Sequence, residues 1–136
     1  MKIEIPAPKN YEIKHGSCAA VRTFLNEVEQ AVGEACEQDI ISILHVSLLI
    51  AHPEDIANGK FKEYMRFDWK LGYGAVGVRG DYNRYLAGDD YEKIFIISQM
   101  LHTAFSRVAG KKNSKFNAKL ASDIVDKITE KHIVNK

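Results

Sequence analysis

Two cysteines, three prolines, one tryptophan and no long apolar run are the scarcities of this 136-residue chain, and each excludes something. No stretch approaches the roughly 20 apolar residues that a membrane-crossing helix needs. The opening MKIEIPAPKN lacks the apolar core and small-residue cleavage site of a secretory signal, so cytoplasmic residence is the expectation. Cys18 and Cys36 fall in a stretch that reads as one helix. At about 1.5 Å rise per residue they stand roughly 27 Å apart, beyond disulfide reach, as thiols of a reducing compartment. No residues nearby have metal-ligand spacing, so neither a metal nor any other cofactor is expected. The five histidines, His15, His45, His52, His102 and His132, are scattered without a close ligand pair.

What is present points to one α+β domain over residues 1–136, large enough to bury its own core. Phe61, Met65, Phe67, Trp69 and Leu71 are apolar, and most of the positions between them are charged or polar. That is the period of a strand with one buried face and one wet face, and it places Trp69 inward. Tyr64, Arg66 and Asp68 share the wet side, which is either covered by a helix or a sheet face open to a partner. A glycine-studded strand follows at 74–79. Ile40–Ala51, rich in β-branched residues, reads as a further strand, and the proline- and glycine-marked 52–60 as a loop. Three neighbouring strands with short connections suggest an antiparallel meander. Lys2–Ile5 and Tyr11–Lys14 read as short extended pieces around Pro6 and Pro8.

Helical periodicity occupies the rest. Ser17 is positioned to cap a helix to about Ala35, with Val21, Phe24, Leu25, Val28, Val32 and Ala35 inward. Glu27, Glu34 and Glu37 fall away from that stripe. Residues 81–88 make a short helical turn. Asp89 or Asp90 caps a helix to about Ala109, with Ile94, Ile97, Leu101, Phe105 and Val108 inward and Gly110 ending it. A last helix begins near Ser114, turning Phe116, Leu120, Ile124 and Ile128 to the core. The fold class expected is α+β: an antiparallel sheet of three or more strands packed by an N-terminal helix and two C-terminal helices.

Chemistry-bearing motifs are few. Gly72, Gly74 and Gly77 spell G-x-G-x-x-G, but a dinucleotide site needs those glycines to open onto a helix, and Val78-Arg79-Gly80 does not start one. Glycines of a twisted hairpin account for the motif. Ser98 and His102 are four apart on one helix and could touch, yet no orienting acid or oxyanion hole can be located for them. His45, within an apolar strand, reads as a hydrogen-bonded core residue. Charge is uneven: residues 1–60 hold nine acids and five bases, net −4, and residues 61–136 hold nine acids and fourteen bases, net +5. Glu27–Asp39 carries five acids and no base, while Arg107–Lys119 carries five bases and no acid. The basic stretch complements a helix C-terminus, and the acidic first half argues against a general nucleic-acid binder.

Val78, Asp81, Tyr82, Tyr85, Gly88 and Asp89, followed by a long helix, Gly110 and a Phe116-led helix, give the second half its signature. That pattern, over roughly Phe61–Ile133, resembles small immunity proteins of bacterial polymorphic-toxin and contact-dependent inhibition systems. The resemblance implies a cytoplasmic protein without catalysis that binds and neutralises a cognate toxin domain, often a nuclease with a basic cleft. It carries no set of toxin-contacting residues. Acidic positions are therefore the expected partner-binding residues: Glu27, Glu34, Glu37 and Asp39 first, then Asp68, Asp81, Asp89 and Asp90. The rival readings are an interaction or regulatory module with another partner, and a small enzyme whose site is assembled from scattered residues. Oligomeric state is left open.

Overall fold

A computed structural model describes residues 1–6, 18–36, 43–51, 53–59, 62–68, 72–111 and 115–134. In chain order come β1 (Lys2–Glu4), α1 (Ala19–Ala35), β2 (Ile43–Leu49), α2 (Pro53–Ala57) and β3 (Tyr64–Asp68). There follow β4 (Tyr73–Arg79), α3 (Tyr82–Ala87), α4 (Asp90–Ala109) and α5 (Ala118–Val134). The four strands form one sheet in the order β1-β2-β4-β3. The α+β class holds: α4 packs on β2 and β4, α1 lies beside β1, and α5 packs on α1 and α4. The expected antiparallel meander does not: β1, β2 and β4 are parallel, and only β3 runs antiparallel, against β4.

The strand order has a physical cause. A central strand needs side chains that tolerate burial on both faces, and β4 is buried from Gly74 through Val78. β3 exposes Arg66 and Asp68, and a meander would have enclosed those charges between two strands. Placed at the edge, they stay in water. α1 provides the crossover that parallel β1 and β2 require.

All three long helices bury their apolar stripes with one face of the sheet. Leu44, Val46, Leu48, Val76 and Val78 share a core with Val21, Phe24, Val28, Ile94, Ile97, Leu101 and Phe105. The stripes expected on α1 and α4 are buried, except that Ala35 is exposed. Burial of each large apolar side chain stabilises the fold by about 1.5–3 kcal/mol.

α5 departs from expectation by a rotation of one residue. Ala121, Val125 and Thr129 face the core, while Leu120 is 36% exposed and Ile124 and Ile128 are half-buried. α5 packs on α1 and α4 together, and small or β-branched residues at the contact let three helices approach. It starts at Ala118, where Asn117 Oδ1 accepts the Leu120 amide at 3.0 Å. At the start of α1 the cap position is Cys18, which makes no side-chain cap bond. Residues 53–57, expected as loop, form α2, with Pro53 at a helix start where its missing N–H costs nothing. Ser17, Tyr11–Lys14, Trp69 and Ser114 lie outside the described residues. No helix among those described is long and apolar enough to cross a membrane.

Candidate protein-binding surface

Where α1, α4 and α5 meet, seven side chains from distant parts of the sequence line a cleft of about 270 Å³. α1 contributes Ala20 and Glu27, the first turns of α4 contribute Asp90, Tyr91 and Ile94, and the last turn of α5 contributes Lys131 and His132. His132 Nε2 lies 3.0 Å from Glu27 Oε1, and Lys131 Nζ donates to Glu27 Oε2 at 3.3 Å. The imidazole is held from behind by Phe24, edge to face, with ring centroids 5.6 Å apart. Burial acts to raise the Glu27 pKa, but the hydrogen bonds from His132 and Lys131, with their charges, outweigh it and hold the carboxyl below its ordinary value.

This corrects the expected orientation of Glu27. Rather than pointing away from the apolar stripe, it sits on its flank and turns to α5. In an α-helix a residue three after Phe24 and seven after Ala20 lies beside the stripe. Which helix would pass alongside could not be read from local periodicity.

The other acids fall in several places. Asp90 lines the same cleft as Glu27, in the first turn of α4, where a negative charge complements the helix dipole. Asp81 caps α3 by accepting the Arg84 amide at 3.0 Å, and Asp89 caps α4 by accepting the Glu92 amide at 2.9 Å. Each such cap is worth about 1 kcal/mol, so both have a structural role in their own helices. Glu34 is exposed and accepts from Gln30 Nε2 at 3.3 Å. Asp68 is exposed at the end of β3. Glu37 and Asp39 lie outside the described residues. Of the expected acidic positions, the cleft thus gathers Glu27 and Asp90.

A second surface is the sheet face turned away from the helices. Tyr64 lies in register with Gly77 and Gly77 with Ser47, so the three share this face. The Tyr64 ring crosses the bare glycine, and its hydroxyl donates to Ser47 Oγ at 2.8 Å. A Cβ at position 77 would stand 2.3 Å from the ring, so only glycine leaves the passage open. The Arg66 guanidinium lies over the Tyr64 ring at 5.7 Å, and His45 lies 6.0 Å from Tyr73 between ring centroids. His45 is therefore a half-buried residue of an outward face, and not the core residue expected. A glycine-rich strand beside an aromatic strand was the signal available in the sequence for this tether.

The cleft offers carboxylates, a phenol, an imidazole and an ammonium, which are groups for recognising a charged or hydrogen-bonding side chain. His102, considered beside Ser98 as a base, instead sets its Nε2 2.8 Å from Asp126 Oδ1 and ties α4 to α5. Among the described residues no group of three or more His, Cys, Asp or Glu could hold a metal ion. Gly74 and Gly77 lie inside β4 rather than at a strand-to-helix turn. Comparison with known protein families, with curated proteins and with solved structures finds no match to this chain.

Proposed function

We propose that this chain acts by stoichiometric binding and neutralises a protein partner, a toxin domain with a basic surface, without chemistry of its own. The observation that carries this reading is the convergence of Glu27 and Asp90. They lie 63 residues apart in sequence and line one cleft with Tyr91. At about 270 Å³ the cleft falls below the ~300–1,000 Å³ of small-molecule sites, and its scale suits a single side chain. An arginine of the partner is the fitting occupant. Its guanidinium reaches two carboxylates and its stem lies along Tyr91 and Ile94. Lys131 is 63% exposed in its pair with Glu27, and such pairs contribute no more than about 1 kcal/mol, so it yields readily to a better donor. The charges outside the cleft speed the encounter, while the anchor governs dissociation.

The test begins with a toxin domain encoded beside this chain, purified in an inactive form and offered to it in a biosensor. A one-to-one complex that Asp90→Lys weakens supports the reading. No complex with that domain, or a complex indifferent to Asp90→Lys and Glu27→Gln, refutes it.

A further inference from the structure

We infer that the outer edge of β3 is a self-pairing surface, through which two copies of this chain join their sheets antiparallel about a two-fold axis at Phe67. β3 closes one end of the sheet, so among the described residues its second edge pairs with no strand. The opposite end is guarded: the Ile3 amide of β1 donates to Glu29 of α1. Edge strands with unsatisfied backbone groups are templates for another chain.

The occupant follows from charge placement. In an antiparallel pair centred on Phe67, Arg66 of one copy stands opposite Asp68 of the other, and Asp68 opposite Arg66. Residues directly opposite in such a pair interact, and opposite charges favour the register. All four of these side chains lie on the face turned away from the helices, where both residues are exposed. A pair centred on Arg66 would instead set two arginines against each other. A pair centred on Met65 would set Asp68 against Lys62. Only the Phe67 register gives two arginine–carboxylate contacts, which are the more directional kind.

One further feature suits the edge to this use. The Tyr64–Ser47 tether, with Arg66 over the same ring, holds the strand in its paired conformation, which lowers the ordering cost of association. In the Phe67 register only Arg66, Phe67 and Asp68 of β3 meet their counterparts, which buries less than a standard interface, so the dimer is weak and concentration-dependent. The inference is independent of the toxin-binding reading, whose cleft lies among the helices.

Sedimentation equilibrium of the full chain over a concentration series tests it, with thermal melts confirming that each variant is folded. The wild type is expected to reach a monomer–dimer equilibrium. Arg66→Asp and Asp68→Arg should each weaken it about tenfold or more, because like charges then face one another. The double variant Arg66→Asp with Asp68→Arg restores opposite charges and should recover the dimer. If either single variant is unfolded, the wild-type dimer must in its place weaken about tenfold or more with rising salt, because exposed facing charges are screened. A wild type that stays monomeric at millimolar concentration overturns the inference. So does a dimer unmoved by these variants, or one lost in the single variants and not restored in the double.

Discussion

Glu27 on α1 and His132 on α5 meet at 3.0 Å across 105 residues of sequence, with Lys131 on the second carboxylate oxygen. The contact clamps the C-terminal turn of the last helix onto the first. Glu27→Lys places a cation against Lys131 and His132 and should destabilise the fold by about 1–2 kcal/mol, the worth of hydrogen bonds to a partly exposed charged group. Glu34→Lys, on the exposed side of the same helix, should stay within about 0.5 kcal/mol. Urea melts of the two variants check the difference, and equal midpoints would remove the clamp from the description.

The same clamp sets an acid limit. The folded Glu27 carboxyl titrates below the ordinary carboxylate range, and so does Glu63, where hydrogen bonding to Arg107 leads. A carboxyl with a depressed folded pKa contributes stability that is complete above the unfolded pKa and is lost as pH falls through the folded one. Stability should therefore decline as pH drops below about 4.5. Glu27→Gln should flatten part of that decline in melts between pH 6 and pH 3, roughly the window of ordinary carboxylate titration. An acid limb as steep in the variant as in the wild type would contradict this.

Tyr64 over Gly77 gives a third outcome. Gly77→Ala forces the ring off its path and breaks the bond to Ser47, at a cost of about 1–3 kcal/mol. Tyr64→Phe keeps the ring and loses the hydroxyl bond, costing about 1 kcal/mol. If Gly77→Ala melts like the wild type, the ring does not cross the sheet there.

Tyr85 points the other way. Its side chain is fully buried, and its hydroxyl has no hydrogen-bond partner among the described residues. Burial first, then Cys18 and Asp90, pushes the phenol above its ordinary range. Tyr85→Phe removes an unsatisfied polar atom while keeping the packing, so it should be neutral or stabilise by up to about 1 kcal/mol. A loss of 1 kcal/mol or more, about the worth of a buried bond, would reveal a partner for that hydroxyl.

What could be read from the sequence was whatever a local period encodes. Ile94, Ile97, Leu101, Phe105 and Val108 recur at three and four residues, and all are buried in α4. Asp81 and Asp89 were legible as residues at helix starts, and both cap. Strand order was not legible, because adjacent β3 and β4 form the same hairpin whether β4 ends at the edge or beside β2. The α5 stripe was read one residue off, since Leu120 and Ala121 both satisfy a helical period and only the contact with α1 and α4 selects Ala121. The cleft was the least accessible. Glu27 and Asp90 each stood out as acids, but their convergence depends on how three helices cross.

The central claim is that the cleft between α1, α4 and α5 receives a basic side chain of a toxin domain. Its most direct test is the dissociation rate of the purified complex with the toxin domain encoded beside this chain, compared between wild type and Asp90→Lys. Asp90 is exposed and its side chain is not the α4 cap, so the variant loses only the helix-dipole contribution, about 0.3–1 kcal/mol of stability. Dissociation at least about tenfold faster from a folded variant is the expected result, equivalent to 1.4 kcal/mol of binding. An unchanged dissociation rate, or no complex at all, would contradict the assignment.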